Sequence, residues 1–196
     1  MKKIVIIDYG AGNIFSVINA IARLGLRCTV STDHKKIKSA DRVIFPGVGQ
    51  ASAAMTQLKA KGLDNLIPQL TCPVLGICLG LQLICKSTDE ENTIGLGIFP
   101  SEVIQIPKTV KVPHMGWNTI QSLRSNLFSG IPEKEYMYFV HSYYIPCNEY
   151  TIASCEYHQQ FSAAMKKDNF YGCQFHPEKS SRYGEQILMN FINNEP

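Results

Sequence analysis

The sequence predicts an α/β fold: a mostly parallel central sheet flanked by helices, followed by a β-rich later half. Three observations lead there. Up to Lys86, short apolar runs of strand length alternate with amphipathic segments of helical length. From Glu102 onward, strand-like runs follow one another with turn residues between them. The chain has 196 residues, of which 45% are hydrophobic, enough to bury one sizeable core and short for two. A single domain over 1–196 is therefore expected.

The elements follow in order. Lys3 to Asp8 reads as a buried strand. Asn13 can cap a helix that carries Ile14, Val17, Ile18, Ile21 and Leu24 on one face, and Gly25 stops it. Arg27 to Ser31 and Arg42 to Phe45 are the next strands, and Ala51 to Lys61 is a helix ended by Gly62. Pro73 to Ile77 is a short apolar strand, with a helix expected from Leu79 to Lys86. Short apolar strands separated by helices imply parallel pairing with both faces covered. Later strands are expected at Glu102 to Ile106, Trp117 to Ile120, Tyr136 to Val140, Thr151 to Tyr157, Ser162 to Lys166 and Phe170 to Phe175, before a closing helix from Tyr183 to Asn193.

Composition removes several function classes. Charged residues make up 18% and the net charge is +3, so no nucleic-acid surface is indicated. The densest basic cluster, Lys35, Lys36 and Lys38, reads as a solvated surface turn. The apolar run after Lys2 and Lys3 is too short for a signal peptide, and no stretch approaches bilayer length. Seven cysteines with no C-x-x-C pair argue against a disulfide framework or zinc knuckle and for reduced thiols in the cytoplasm. Neither a metal nor a cofactor is called for.

Ligands of open α/β sheets bind beyond the carboxyl ends of the strands. That rule selects four loops: Tyr9 to Gly12, Pro46 to Gly49, Gly76 to Gly80, and Phe175 to Lys179. Gly10-Ala11-Gly12 imitates a dinucleotide fingerprint, but its third glycine would fall on Phe15, so the pattern fails. Gly76-Ile77-Cys78-Leu79-Gly80 has the form of a nucleophile elbow with sulfur in place of oxygen. A sharp strand-to-helix turn exposes the nucleophile, and the positive end of the helix favours a thiolate there. Phe175-His176-Pro177-Glu178 supplies a partner: with His176 held extended before proline, His176 and Glu178 can lie side by side. The carboxylate would then orient the imidazole, the third-group role in a nucleophile–base–orienter triad. Leu79 N–H and the N–H of Val48 or Gly49 are candidate oxyanion donors. The elbow alone leaves a cysteine peptidase open.

Gly76-Ile-Cys78-Leu-Gly80-Leu-Gln82 together with Phe175-His176-Pro177-Glu178 resembles the class I, or triad, glutamine amidotransferase family. Ile7-Asp-Tyr-Gly10-Ala-Gly12-Asn13, Phe45-Pro-Gly-Val-Gly49, Val112-Pro-His-Met-Gly-Trp-Asn118 and Phe139-Val-His-Ser-Tyr143 are similar to motifs in the glutaminase subunits of imidazole glycerol phosphate synthases. The resemblance covers essentially the whole chain; Leu81, where the family often has methionine, is its one departure. It implies that Cys78 attacks glutamine, His176 serves as acid and base, and Glu178 orients His176. It implies an oxyanion site from Gly47, Val48, Gly49 and Leu79, and glutamine held by Gly49, Gln82, Ser142 and Tyr143. It places Asn13, His114, Met115, Trp117, Tyr138 and Lys179 toward the ammonia exit and a partner. That partner would be a (β/α)8-barrel cyclase forming a heterodimer with this chain. Without the resemblance, Asn13 is equally a helix cap, Trp117 has a core reading, and Tyr138 in its strand has a packing reading.

Overall fold

In the computed structural model, which describes residues 2–10 and 13–193, nearly every expected element is present. In chain order they are β1 (Ile4–Ile7), α1 (Ile14–Arg23), β2 (Cys28–Ser31), α2 (His34–Lys38), β3 (Arg42–Gly47), α3 (Ala51–Ala60), α4 (Leu63–Leu66), β4 (Val74–Cys78) and α5 (Leu79–Ile84). There follow β5 (Cys85–Thr88), β6 (Thr93–Ile94), β7 (Phe99–Gln105), β8 (His114–Gln121), β9 (Glu135–His141), β10 (Tyr143–Tyr144), β11 (Thr151–Tyr157), β12 (Gln159–Lys167), β13 (Phe170–Cys173) and α6 (Ser181–Asn193). Short 3-10 turns lie at Glu90–Asn92 and Pro177–Lys179.

Nine strands form one mixed sheet in the order β2-β1-β3-β4-β13-β12-β11-β8-β9. The pairings from β2 across to β13 are parallel, and those from β13 across to β9 are antiparallel. The first four strands thus form the parallel side, β13 returns from the end of the chain to join them, and β8, β9, β11 and β12 form the antiparallel side. A second sheet, β10-β7-β5-β6, has four strands.

Strands β1, β3 and β4 are buried along their whole length. Successive side chains of a strand point to opposite faces, and they feed two separate cores. Ile4, Ile6, Ile44, Leu75 and Ile77 join one, with Val17 and Ile21 of α1 and Ile187 and Leu188 of α6. Val5, Ile7, Val43, Phe45 and Val74 join the other, with Leu58 of α3 and Leu81 and Leu83 of α5. Helices therefore cover both faces, which is what continuous apolar strands require.

Two local differences from expectation have clear causes. The helix after the elbow ends at Ile84, not Lys86, because Cys85 turns extended (φ −70°, ψ 170°) and starts β5, which pairs with β7. The lysine cluster is α2 rather than a turn: Asp33 Oδ1 accepts from the N–H groups of Lys35 and Lys36 and caps the helix. Asn13 caps α1 as expected, its Oδ1 accepting from Ser16 N at 3.3 Å.

The elbow is locked by close backbone packing. A Cβ on Gly80 would fall 1.9 Å from the carbonyl oxygen of Phe45. Gly80→Ala should destabilise the chain by about 3 kcal/mol through forced displacement of α5 from β3, read as a lower urea midpoint. A midpoint within error of the parent would show that the elbow is loosely packed.

Candidate active site

Cys78 ends β4 and precedes the first residue of α5 with φ 53° and ψ −111°. A positive φ at a residue with a Cβ is strained and is commonly retained where function needs the geometry. The short buried strand fixes one side of the turn and the helix fixes the other. Gly47 of β3 lies opposite Cys78 in register.

A cavity of about 310 Å³ opens at this elbow. Val48, Gly49, Cys78, Leu79, Gln82, Ser142, Tyr143 and His176 all line it. Gly47 does not; it sits behind the turn, against Gly80 and Leu79. Three of the four loops selected from sequence converge here. Of the fourth, Ala11 and Gly12 lie outside the described residues.

His176 Nδ1 and Glu178 Oε1 are 2.8 Å apart, with both side chains 2% exposed. The pair forms somewhat differently than extended geometry suggested. His176 is extended (φ −99°, ψ 95°), but Pro177 starts a 3-10 turn that brings Glu178 back beside the ring. The strand ends at Cys173, and His176 is anchored separately by its N–H donating to the carbonyl of Tyr138 at 2.9 Å. Ser180 Oγ donates to the His176 carbonyl at 2.7 Å and accepts from Tyr138 N at 3.0 Å, completing the brace. Burial works to lower the His176 pKa, but interactions with Cys78 and Glu178 outweigh it and push it up to about 10. A charged imidazole flanked by carboxylate and sulfur is thus the favoured form.

Gln82 is buried in α5, and its Nε2 donates to Gln174 Oε1 at 3.0 Å and to the Tyr143 carbonyl at 3.1 Å. Gln174 in turn points its Nε2 at Cys78 Sγ, 3.8 Å away. Sequence reading missed Gln174. Its signal was a polar residue inside the apolar run Phe170 to Phe175, two places before His176.

His141 was also missed. Its Nδ1 is 2.8 Å from the Tyr143 carbonyl, so this nitrogen donates. Its Nε2 then accepts from His114 Nδ1 at 2.9 Å, and His114 Nε2 accepts from Asn118 Nδ2 at 3.2 Å. Every ring nitrogen is satisfied with both imidazoles neutral. Burial, the largest cause, lowers the His114 pKa to about 4 and that of His141 to about 3. The unfolded chain protonates these rings below about pH 6.5, whereas the folded chain does not. Stability should therefore fall as pH drops from about 6.5 toward about 4. The urea midpoint should be lower at pH 5 than at pH 7; a level midpoint would contradict a neutral pair.

The residues placed toward a partner divide. Met115, Trp117 and Phe15 are exposed, and Trp117 stacks edge-on with Tyr138 at 6.0 Å. Lys179 Nζ lies 5.8 Å from the Tyr138 ring centre. Asn13 is exposed and caps α1. His114 does not share this face. It is 4% exposed and stacked on Tyr157 at 4.0 Å and Phe139 at 5.0 Å. Strand alternation is the reason: His114 and Met115 are neighbours on β8 and must point to opposite sides. Phe15, 78% exposed on α1, was not singled out from sequence.

The family model for glutamine amidotransferase class-I matches residues 5–194. The chain is 52% identical over 193 residues to imidazole glycerol phosphate synthase subunit HisH of Bacteroides fragilis, spanning 97% of this chain and 98% of that protein. It is 50% identical over 194 residues to the protein of the same name from Shewanella sediminis, spanning 96% and 89%. A solved glutamine amidotransferase structure superposes with a TM-score of 0.75 at 14% identity, covering 96% of each chain. The chain belongs to the class-I glutamine amidotransferase family of enzymes, among relatives named imidazole glycerol phosphate synthase subunit HisH.

Proposed function

We propose that this chain, as one domain over residues 1–196, is the glutaminase subunit of a cytoplasmic imidazole glycerol phosphate synthase. The observation that carries the chemistry is His176, paired at 2.8 Å with Glu178 on one nitrogen and, among the described residues, buried with no hydrogen bond on the other, beside Cys78. Cys78 Sγ attacks the side-chain amide carbon of glutamine. The thiol proton, held on His176 Nε2, passes to the departing nitrogen, and ammonia leaves. Water then attacks the thioester, His176 Nε2 takes its proton, and glutamate and free Cys78 remain. Glu178 accepts from Nδ1–H throughout, which keeps Nε2 aimed at the reacting atoms.

The tetrahedral oxyanion is assigned to Leu79 N–H and to the N–H of Val48 or Gly49, which line the cavity, with Gly47 shaping the turn from behind. The amino-acid end of glutamine is assigned to Gln82, Ser142 and Tyr143, along the same cavity wall. Ammonia is passed to a (β/α)8-barrel cyclase that produces imidazole glycerol phosphate and an aminoimidazole carboxamide ribotide in histidine biosynthesis. The face of exposed Met115, Trp117 and Lys179 and half-buried Tyr138, with Asn13, is the assigned docking side; the identity to HisH subunits over nearly the whole chain supports this reading. The test is ammonia release from glutamine by the purified chain, alone and with the cyclase and its nucleotide ligand. Strong stimulation supports the assignment. Turnover indifferent to the cyclase would redirect the search to another synthase, and cleavage of peptides would favour a peptidase.

A further inference from the structure

Among the described residues, three buried side-chain polar atoms make no hydrogen bond: His176 Nε2, Glu178 Oε2 and Tyr9 OH. Two belong to the proposed triad. The third is unexplained, and folded proteins leave few such atoms without a reason.

Tyr9 follows β1 and is fully buried. Its ring packs on Phe45 of β3 with centroids 5.4 Å apart, and its carbonyl accepts from Lys61 Nζ at 2.8 Å. The hydroxyl is thereby held in place beneath the turn that follows β3. A Cβ on Gly47 would fall 2.7 Å from this hydroxyl, 2.7 Å from Gly80 N and 2.9 Å from Leu79 Cβ. The Tyr9 hydroxyl, the first turn of α5 and the Gly47 backbone thus meet at one point, directly behind Cys78. Burial first, and the charge of Cys78 second, raise the Tyr9 pKa above that of an ordinary tyrosine. The group remains a proton donor.

In a trans peptide, the N–H and the C=O point in opposite directions. A turn that aims the Val48 or Gly49 N–H into the cavity must aim the preceding carbonyl away from it, toward the protein side where Tyr9 waits. The missing side chain of Gly47 leaves that path clear. We propose that Tyr9 is a positioning residue for glutamine turnover, its hydroxyl being the donor for a backbone carbonyl of the Gly47–Val48–Gly49 turn when that turn presents its N–H groups to the cavity. This inference rests on the glutaminase reading of the site.

The test is Tyr9→Phe in the full chain with its cyclase partner, compared with the parent. The kcat for glutamine should fall about tenfold, the loss of one positioning hydrogen bond, with KM changed by less than about twofold. Alkylation of Cys78 by iodoacetamide should keep its parental rate. The melting temperature should rise by about 2–4 °C, since an unpaired buried hydroxyl has been removed. A variant with raised melting temperature and parental kcat overturns the inference, and so does a loss confined to KM. If the parent itself shows no Cys78-dependent turnover, the glutaminase reading fails and takes this inference with it.

Discussion

Cys78→Ala is expected to abolish glutamine turnover, a loss of at least about 10⁴-fold, while leaving the fold in place. No other cysteine can substitute. Burial raises the pKa values of Cys28, Cys72, Cys85, Cys155 and Cys173, so each stays a neutral thiol. Cys147 is exposed, but among the described residues it stands in no triad like that at Cys78. The alanine keeps the Cβ that the φ of 53° already accommodates, so the melting temperature should shift by no more than about 3 °C. Ammonia release from glutamine and a thermal melt on the same sample check both halves. Residual turnover near the parental rate would remove Cys78 from the reaction.

Glu178→Gln is expected to lower kcat by about 10²–10⁴-fold with little change in KM. The substitution keeps the shape and removes the charge. Without the carboxylate the amide can donate to Nδ1, which moves the ring proton to Nε2 and spoils its capacity to accept. The charge of one of the two partners that raise the His176 pKa is lost as well. The ring should then give up its proton at a lower pH than the parental value of about 10, visible in an NMR titration of labelled histidine. Unchanged kcat would mean that Glu178 has only a structural role.

The elbow and the histidine segment were readable because their constraints are local. The glycines at 76 and 80 and the His-Pro-Glu order each dictate backbone geometry within five residues. Strands β1, β3 and β4 were readable for the same reason, through their short apolar runs. What was not readable depends on contacts distant in sequence. Cys85 leaves the helix because β7 offers a pairing partner more than ten residues on, and the apolar run through Ile84 gives no sign of it. The bond from Gln82 to Gln174 joins positions ninety-two apart. The Tyr9 hydroxyl reaches the elbow only because β1, β3 and β4 are adjacent in the sheet. His114 is a different case: alternation along β8 separates it from Met115, and motif similarity alone had put them together.

A covalent intermediate on Cys78 would be intercepted by hydroxylamine added during glutamine turnover. A thioester divides between water and the stronger nucleophile. Glutamyl hydroxamate should therefore appear at the expense of glutamate, only when Cys78 is present and in proportion to ammonia released. Glutamate as the sole product at saturating hydroxylamine, with ammonia release undiminished, would mean that water attacks the amide directly and that no thioester forms on Cys78.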